Sequence, residues 1–206
     1  MTMDERSECK PDRAQPVRNE ARPLSIPVIL GTTRKGRMSA HAARFVFGQL
    51  QKREGITSEL IDIGELNLPI DDAGEAVKDP RFSAAMERAD AIVIVSPEYN
   101  HSFPGLLKHV LDSCLKEYIH KAAGIVGVSA GVFGGARTVE HFQPVLRELG
   151  PVSIFWDVNF GTVEKVFDSS GQLLDQAYVR RTDKFINELI WMAKVLRYGR
   201  ENISLE

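Results

Sequence analysis

The stretch Ala91-Ile92-Val93-Ile94-Val95-Ser96-Pro97-Glu98-Tyr99-Asn100-His101-Ser102-Phe103-Pro104-Gly105 decides the fold. Five apolar, mostly β-branched residues in unbroken succession describe a strand buried on both faces, as in a parallel sheet. Polar, aromatic and turn-forming residues follow, and lead into the helical pattern Leu106-Leu107-Lys108-His109-Val110-Leu111-Asp112. Such residues crowded at the carboxyl end of a central strand mark the ligand crevice of an open α/β sheet.

Working outward, apolar runs at 26–30, 57–61, 124–129 and 152–158 supply four further strands. Helical periodicity connects them. Ala42, Val46 and Leu50 recur at i, i+4 and i+8 within 39–53, and Phe185, Leu189, Met192 and Leu196 form a similar stripe near the end. Segments 104–118 and 136–149 read as long helices and 82–89 as a short one. Five strands alternating with helices predict an α/β fold: a doubly wound five-stranded parallel sheet with right-handed crossovers and helices on both faces. A small hairpin is expected from 163–166 and 172–174 around Ser169-Ser170-Gly171. The charged, Pro-containing segment 1–23 reads as a disordered leader, 24–198 as one domain and 199–206 as a tail.

At 206 residues, 43% hydrophobic and with net charge −2, the chain has the composition of an ordinary soluble globular protein. Basic residues form no long block, which argues against a nucleic-acid partner. No run approaches a membrane span and no signal-peptide core opens the chain, so membrane insertion is not expected and a cytoplasmic location is. Cys9 and Cys114 do not suggest a disulfide framework, and Cys114 is expected to pack on its helix. His41, His101, His109, His120 and His141 have no metal-ligand spacing, so no metal is expected.

Three strand-to-helix loops differ in chemistry. In the first, Gly31-Thr32-Thr33-Arg34-Lys35-Gly36-Arg37-Met38-Ser39, glycines, hydroxyls, cations and a helix N-terminus together suit a phosphate monoester; a solvated basic turn is the alternative. Gly31 and Gly36 have the spacing of a nucleoside-triphosphate loop, but Arg37-Met38 stands where Lys-Ser or Lys-Thr is required. The second loop is stiffened by Pro97 and Pro104, and its amides and Tyr99 suit a planar heterocycle. The third, Ser129-Ala130-Gly131-Val132-Phe133-Gly134-Gly135-Ala136-Arg137, contains three glycines that let the backbone approach a ligand closely or serve only as turn formers.

Jointly these loops resemble the NADPH-dependent FMN reductase family, which is flavodoxin-like and includes quinone, azo-compound and chromate reductases. The resemblance spans roughly 26–197 and rests on Ser-Pro-Glu-Tyr-Asn-x-x-x-Pro-Gly-x-x-Lys from Ser96 and on Ser-x-Gly-x-x-Gly-Gly-x-Arg from Ser129 to Arg137. The first loop departs from the family pattern Gly-Ser-x-Arg followed by Ser-x-Asn: Thr32 and Arg34 fit, whereas Arg37 and Ser39 stand at the Ser and Asn positions. His109 replaces a frequent Asn.

The resemblance implies that Thr32, Arg34, Arg37 and Ser39 hold the FMN phosphate. Pro97, Glu98, Tyr99 and Asn100 then line the isoalloxazine and ribityl group, and Ser129 and Gly131 border the far edge of the ring. It implies an NAD(P)H-dependent oxidoreductase with NADPH or NADH as co-substrate, working by ping-pong hydride transfer through flavin N5 to a planar acceptor (quinone, free flavin or azo compound) or to chromate. No protein residue is then catalytic, and Glu98 is not expected to act as a general base. A homodimer or homotetramer is implied too, with Leu106, Leu107, Val110, Leu111 and Leu115 as candidate contact surface. Two other readings are a flavodoxin-like FMN-binding electron-transfer module without significant NAD(P)H turnover, and an interaction protein that has lost its cofactor.

Overall fold

The computed structural model describes residues 22–69 and 78–205. Its elements in chain order begin with β1 (Leu24–Ser25), β2 (Val28–Leu30), α1 (Ser39–Gln51), β3 (Ile56–Thr57) and β4 (Leu60–Asp62). They continue with α2 (Pro80–Arg88), β5 (Ala91–Pro97), α3 (Gly105–Asp112), β6 (Ala122–Val128) and α4 (Ala136–Leu149). Last come β7 (Val152–Ser153), β8 (Val158–Phe160), α5 (Val163–Val166) and α6 (Ala177–Asn202).

Every named strand pairing is parallel. The main sheet runs β4-β2-β5-β6-β7, with β8 also on β6. β7 pairs with Ala122 and Ala123 of β6, and β8 with Val126 to Val128, so both occupy one edge position. The six segments thus fill five positions in the flavodoxin-like order 2-1-3-4-5. The crevice of such a sheet lies where the order reverses, at the carboxyl ends of β2 and β5.

Alternation along the strands sends side chains to two cores. Val28, Val93, Val95 and Val126 pack with Ala42, Val46 and Leu50 of α1 and with Phe185, Ile186 and Leu189 of α6. Ile29, Ile92, Ile94 and Ile125 pack with Phe82 of α2, with Leu107, Val110 and Leu111 of α3 and with Phe142 of α4. Each such side chain withdrawn from water contributes about 1.5–3 kcal/mol. Gly124 lets Phe185 lie flat on β6, since a Cβ there would sit 2.4 Å from its Cζ.

The expected strands at 26–30 and 57–61 are present with an interruption in each: Pro27 has no N–H to donate, and Ser58 turns its hydroxyl onto the Ile26 carbonyl at 2.7 Å. Strand 152–158 also divides, because Phe155 and Trp156 swing out to solvent and Lys184 covers the Trp156 ring at 3.9 Å. The helix expected over 104–118 stops at Asp112, where the Ser113 hydroxyl donates to the Val110 carbonyl at 2.7 Å. Cys114 therefore lies in the connection rather than on a helix, and burial, the largest cause, pushes its thiol up to about 11. The expected strand 163–166 is instead α5. It begins after Thr162 at φ 47°, and only the Phe167 to Leu173 bridge of the expected hairpin remains. Of the expected contact surface, Leu107, Val110 and Leu111 belong to the core, while Leu106 on α3 and Leu115 beyond its end are exposed. The leader expected over 1–23 lies, through residue 21, outside the described residues, as does Cys9.

Two ionic ties close the sheet's rear. Asp90, fully buried just before β5, receives Arg22 (2.8 and 3.0 Å), Arg200 (2.8 Å) and the Ser25 N–H (3.1 Å). Beneath α2, Glu117 accepts from Lys78 at 2.6 Å, from the Ser83 hydroxyl at 3.2 Å and from the Leu115 N–H at 3.0 Å. Burial alone would raise the Glu117 carboxyl, but these donors outweigh it and hold the group at about 2. A folded-state value below the unfolded one means stability present above about pH 4.5 and lost as the pH falls toward 2, about 3 kcal/mol in all. Urea midpoints of wild type and Glu117→Gln should therefore draw together by roughly half as the pH falls from 5 to 3 and come close only near pH 2; a constant gap would refute this.

Candidate functional site

The site is built at the carboxyl ends of β2, β5, β6 and β8. After β2, the Gly31 N–H still reaches the Val95 carbonyl at 2.8 Å, so the loop leaves from a fixed point. Gly31 itself is required by packing, since a Cβ would sit 2.5 Å from Leu107 Cδ2. The loop then enters α1 with no side-chain cap and no acid in the first turn. Beside that N-terminus, Ser39 Oγ and Arg37 Nε are buried without a hydrogen-bond partner, while Arg37 Nη2 is ion-paired to Asp62. Orphan donors cost about 1–3 kcal/mol each, so their presence with an uncapped helix start describes an anion receptor.

Tyr99 joins the first loop to the second. Its hydroxyl lies 3.0 Å from Thr32 Oγ1, and the Arg34 guanidinium stacks 4.3 Å over its ring. Tyr99 and Ser102 exchange backbone hydrogen bonds of 2.8 and 2.9 Å around Asn100 (φ 50°) and His101 (φ 69°), a two-residue turn with both central residues left-handed. Thr138 of α4 anchors that turn through the Ser102 carbonyl at 2.6 Å. Glu98 is held by Arg137 at 2.9 Å, which ties the second loop to the third. That pairing engages the carboxylate that a general base would need free.

In the third loop, Gly134 (φ 62°) and Gly135 (φ 84°) are forced, because a Cβ at Gly135 would lie 2.7 Å from the Val128 nitrogen. Gly131 differs: its backbone is not left-handed and a Cβ would meet only Ser129 Oγ, at 3.9 Å. Phe133 stands 64% exposed beneath Arg137, so it does not fill the core.

A hollow of about 260 Å³ gathers Thr32, Arg34, Arg37, Ser39, Pro97, Glu98, Tyr99 and Ser129. A second, of about 350 Å³, shares Glu98, Ser129 and Ala130 with it and adds Asn100, His101, Gly131, Phe133 and Arg137. The two thus bring together all ten residues expected at a ligand site. Sequence reading missed Val163 and Glu164, which wall the first hollow. They open α5, in the stretch read as a strand. Asp62 and Arg137 were missed as partners of Arg37 and Glu98, with only charge complementarity to suggest them. Among the described residues no cluster of three or more His, Cys, Asp or Glu is arranged to hold a metal, and no helix is long and apolar enough to cross a membrane.

Comparison with known families matches residues 24–164 to the NADPH-dependent FMN reductase family. The chain is 31% identical over 167 residues to an NAD(P)H-dependent FMN reductase of Pseudomonas aeruginosa, covering 74% of this chain and 85% of that one. It is 31% identical over 167 residues to a quinone reductase of Escherichia coli, covering 74% and 86%. Among solved structures, FerB of Paracoccus denitrificans, a flavoenzyme NAD(P)H:(acceptor) oxidoreductase, shares the fold with a TM-score of 0.69 at 23% identity, over 83% of this chain and 98% of that one.

Proposed function

The chain belongs to the NADPH-dependent FMN reductase family, and from that premise we propose an FMN-carrying oxidoreductase that takes hydride from NADPH or NADH and delivers electrons to a planar acceptor (a quinone, free flavin or azo compound) or to chromate. The observation that carries this reading is the pair of buried, partnerless donors, Arg37 Nε and Ser39 Oγ, at the uncapped start of α1. A flavin phosphate satisfies both and the helix dipole with them. Thr32 and Arg34 complete the phosphate hollow, and the adjoining hollow takes the ring between the Pro97–Asn100 segment and Ser129–Gly131. Bound there, FMN supplies hydride acceptance and donation at N5.

The chain's own work is orientation. The Glu98–Arg137 pair fixes the two loops that flank the ring, and Tyr99, hydrogen-bonded to Thr32, fixes the loop that flanks the phosphate. With one hollow of about 350 Å³ for the ring, donor and acceptor would meet the same flavin in turn, which favours a ping-pong order. We also place the protein in the cytoplasm as a homodimer or homotetramer, with the exposed Leu106 and Leu115 at its contact; light scattering that gave a monomer at micromolar concentration would defeat this.

Anaerobic titration of the FMN-loaded protein tests the reading. NADPH or NADH should bleach the oxidised flavin band stoichiometrically, and a quinone should restore it. Retention of FMN without bleaching by either nucleotide would favour an electron carrier; failure to bind FMN would overturn the site. A sharper probe is Gly131→Ala, whose added methyl meets open space in the protein alone. Its stability should stay within about 0.5 kcal/mol of wild type while FMN affinity falls roughly tenfold, as measured by flavin fluorescence quenching. Unchanged FMN affinity would show that no ligand approaches the glycine.

A further inference from the structure

The groove does not end at the phosphate hollow. Arg34, Gly36, Arg37 and Met38 form a wall whose other side faces a third hollow of about 480 Å³. Lys35, His41, Arg44 and Ser169 line that outer side, and among the described residues no carboxylate does. Of its cations only Arg37 is neutralised, by Asp62; among the described residues Arg34, Lys35 and Arg44 make no ion pair. Uncompensated cations around one concavity repel one another, so the arrangement favours an anion. Arg34 also borders the flavin-phosphate hollow, but Lys35 and Arg44 do not, so that phosphate leaves these two cations unaccounted for.

Part of this outer hollow is held in place. Arg34 is stacked on Tyr99 at 4.3 Å, and His41 is set against Phe167 (ring centroids 6.2 Å apart) and against Gly171, where a Cβ would sit 2.4 Å from its Nδ1. The three hollows follow one another, each sharing residues with the next: ring, flavin phosphate, outer cations. A mononucleotide fills the first two. A dinucleotide donor stacked on the ring held at the first, and running along the same line, has its adenylate half at the third.

We propose that Arg44, Lys35 and His41 bind the 2′-phosphate that distinguishes NADPH from NADH, so that this outer hollow sets donor preference; the inference rests on the reductase reading above. Arginine suits the task because its planar fork matches phosphate oxygens and stays charged at every physiological pH. The same chemistry would serve the pyrophosphate of FAD, so the test separates the two.

The experiment uses the full chain loaded with FMN, as wild type and as Arg44→Glu, with Lys35→Glu as a second exposed-site variant. Calorimetric titration of wild type with 2′,5′-ADP and with 5′-AMP should show at least about a tenfold preference for the former, and both variants should lose it. In turnover, Arg44→Glu should raise the KM for NADPH about 10-fold to 100-fold with kcat little changed, and leave NADH kinetics as they were. Equal affinity for the two adenylates, or an equal loss with NADPH and NADH, would overturn the inference and leave the reductase intact. FAD bound more tightly than FMN, with only the FAD advantage lost in Arg44→Glu, would reassign the hollow to a dinucleotide flavin. Bound FMN that neither nucleotide reduces would bring down the reductase reading itself, a pattern distinct from the other outcomes.

Discussion

Ser39→Asp is expected to abolish FMN retention without unfolding the protein. Ser39 is the first residue of α1, and an acid in the first turn of an uncapped helix is favourable by about 0.3–1 kcal/mol. The same carboxylate would stand where the phosphate is proposed to sit, take Arg37 Nε for itself, and repel the dianion. At about 4 Å and an effective dielectric near 20 each pair of unit charges costs about 4 kcal/mol, so FMN affinity should fall at least about 100-fold. Ser39→Ala removes only one buried hydroxyl, and roughly tenfold is expected from it. Riboflavin, with ring and ribityl chain but no phosphate, should bind wild type and Ser39→Asp alike. Fluorescence quenching titrations with both flavins, alongside thermal melts, check each part. Ser39→Asp protein that holds FMN as tightly as wild type would remove the phosphate from this loop.

Such a substitution can be designed because the elements that frame the site are legible in the sequence. The runs at β5 and β6 are apolar on both faces, and only a parallel sheet with helices on each side buries them. α4 begins and ends where its periodicity and flanking glycines place it, Ala136 to Leu149 between Gly135 and Gly150. What periodicity left unread is where a short β-branched run bends. Val163-Glu164-Lys165-Val166 has strand composition, yet Thr162 enters it at φ 47° with its N–H on the Gly131 carbonyl at 2.9 Å, and the run closes a single helical turn against the third loop. That tertiary hydrogen bond outweighs four residues of propensity.

The site divides in the same way. Thr32, Tyr99 and Ser129 follow strands, and strand ends are where a doubly wound sheet puts its ligands. The pairs that set the geometry, Arg37 with Asp62 and Glu98 with Arg137, join residues 25 and 39 positions apart, and no local pattern records them. The Arg37–Asp62 pair bears on the family resemblance, because Arg37 stands where that resemblance implies Ser. Arg37 is drawn by Asp62 at the end of β4, and its Nε remains buried without a partner. A longer, charged side chain thereby occupies a position expected to be small.

Asp90→Asn should be the most destabilising single substitution outside the two apolar cores. The carboxylate is fully buried at the rear of the sheet, opposite the ligand crevice, and gathers Arg22, Arg197 and Arg200 with the Ser25 N–H. Through them it ties the start of β1 and the end of α6 to the first residues of β5, while its own N–H bonds the Ser25 carbonyl at 2.8 Å. The amide presents two donors toward guanidinium groups that are donors only, and leaves their charge uncompensated next to an apolar layer. Removing one member of such a buried cluster costs about 3–5 kcal/mol, although an apolar redesign of the whole cluster need not. For a chain of this size that corresponds to a melting temperature lower by roughly 6–20 °C. Arg22→Ala makes the contrast: that side chain is 55% exposed, and about 1 kcal/mol or less is expected from its loss. Because the cluster lies at the far end of β5 from the crevice, FMN affinity of Asp90→Asn measured well below its melting point should match wild type. An Asp90→Asn variant within about 1 kcal/mol of wild type in urea unfolding would mean that the sheet's rear is held by packing alone.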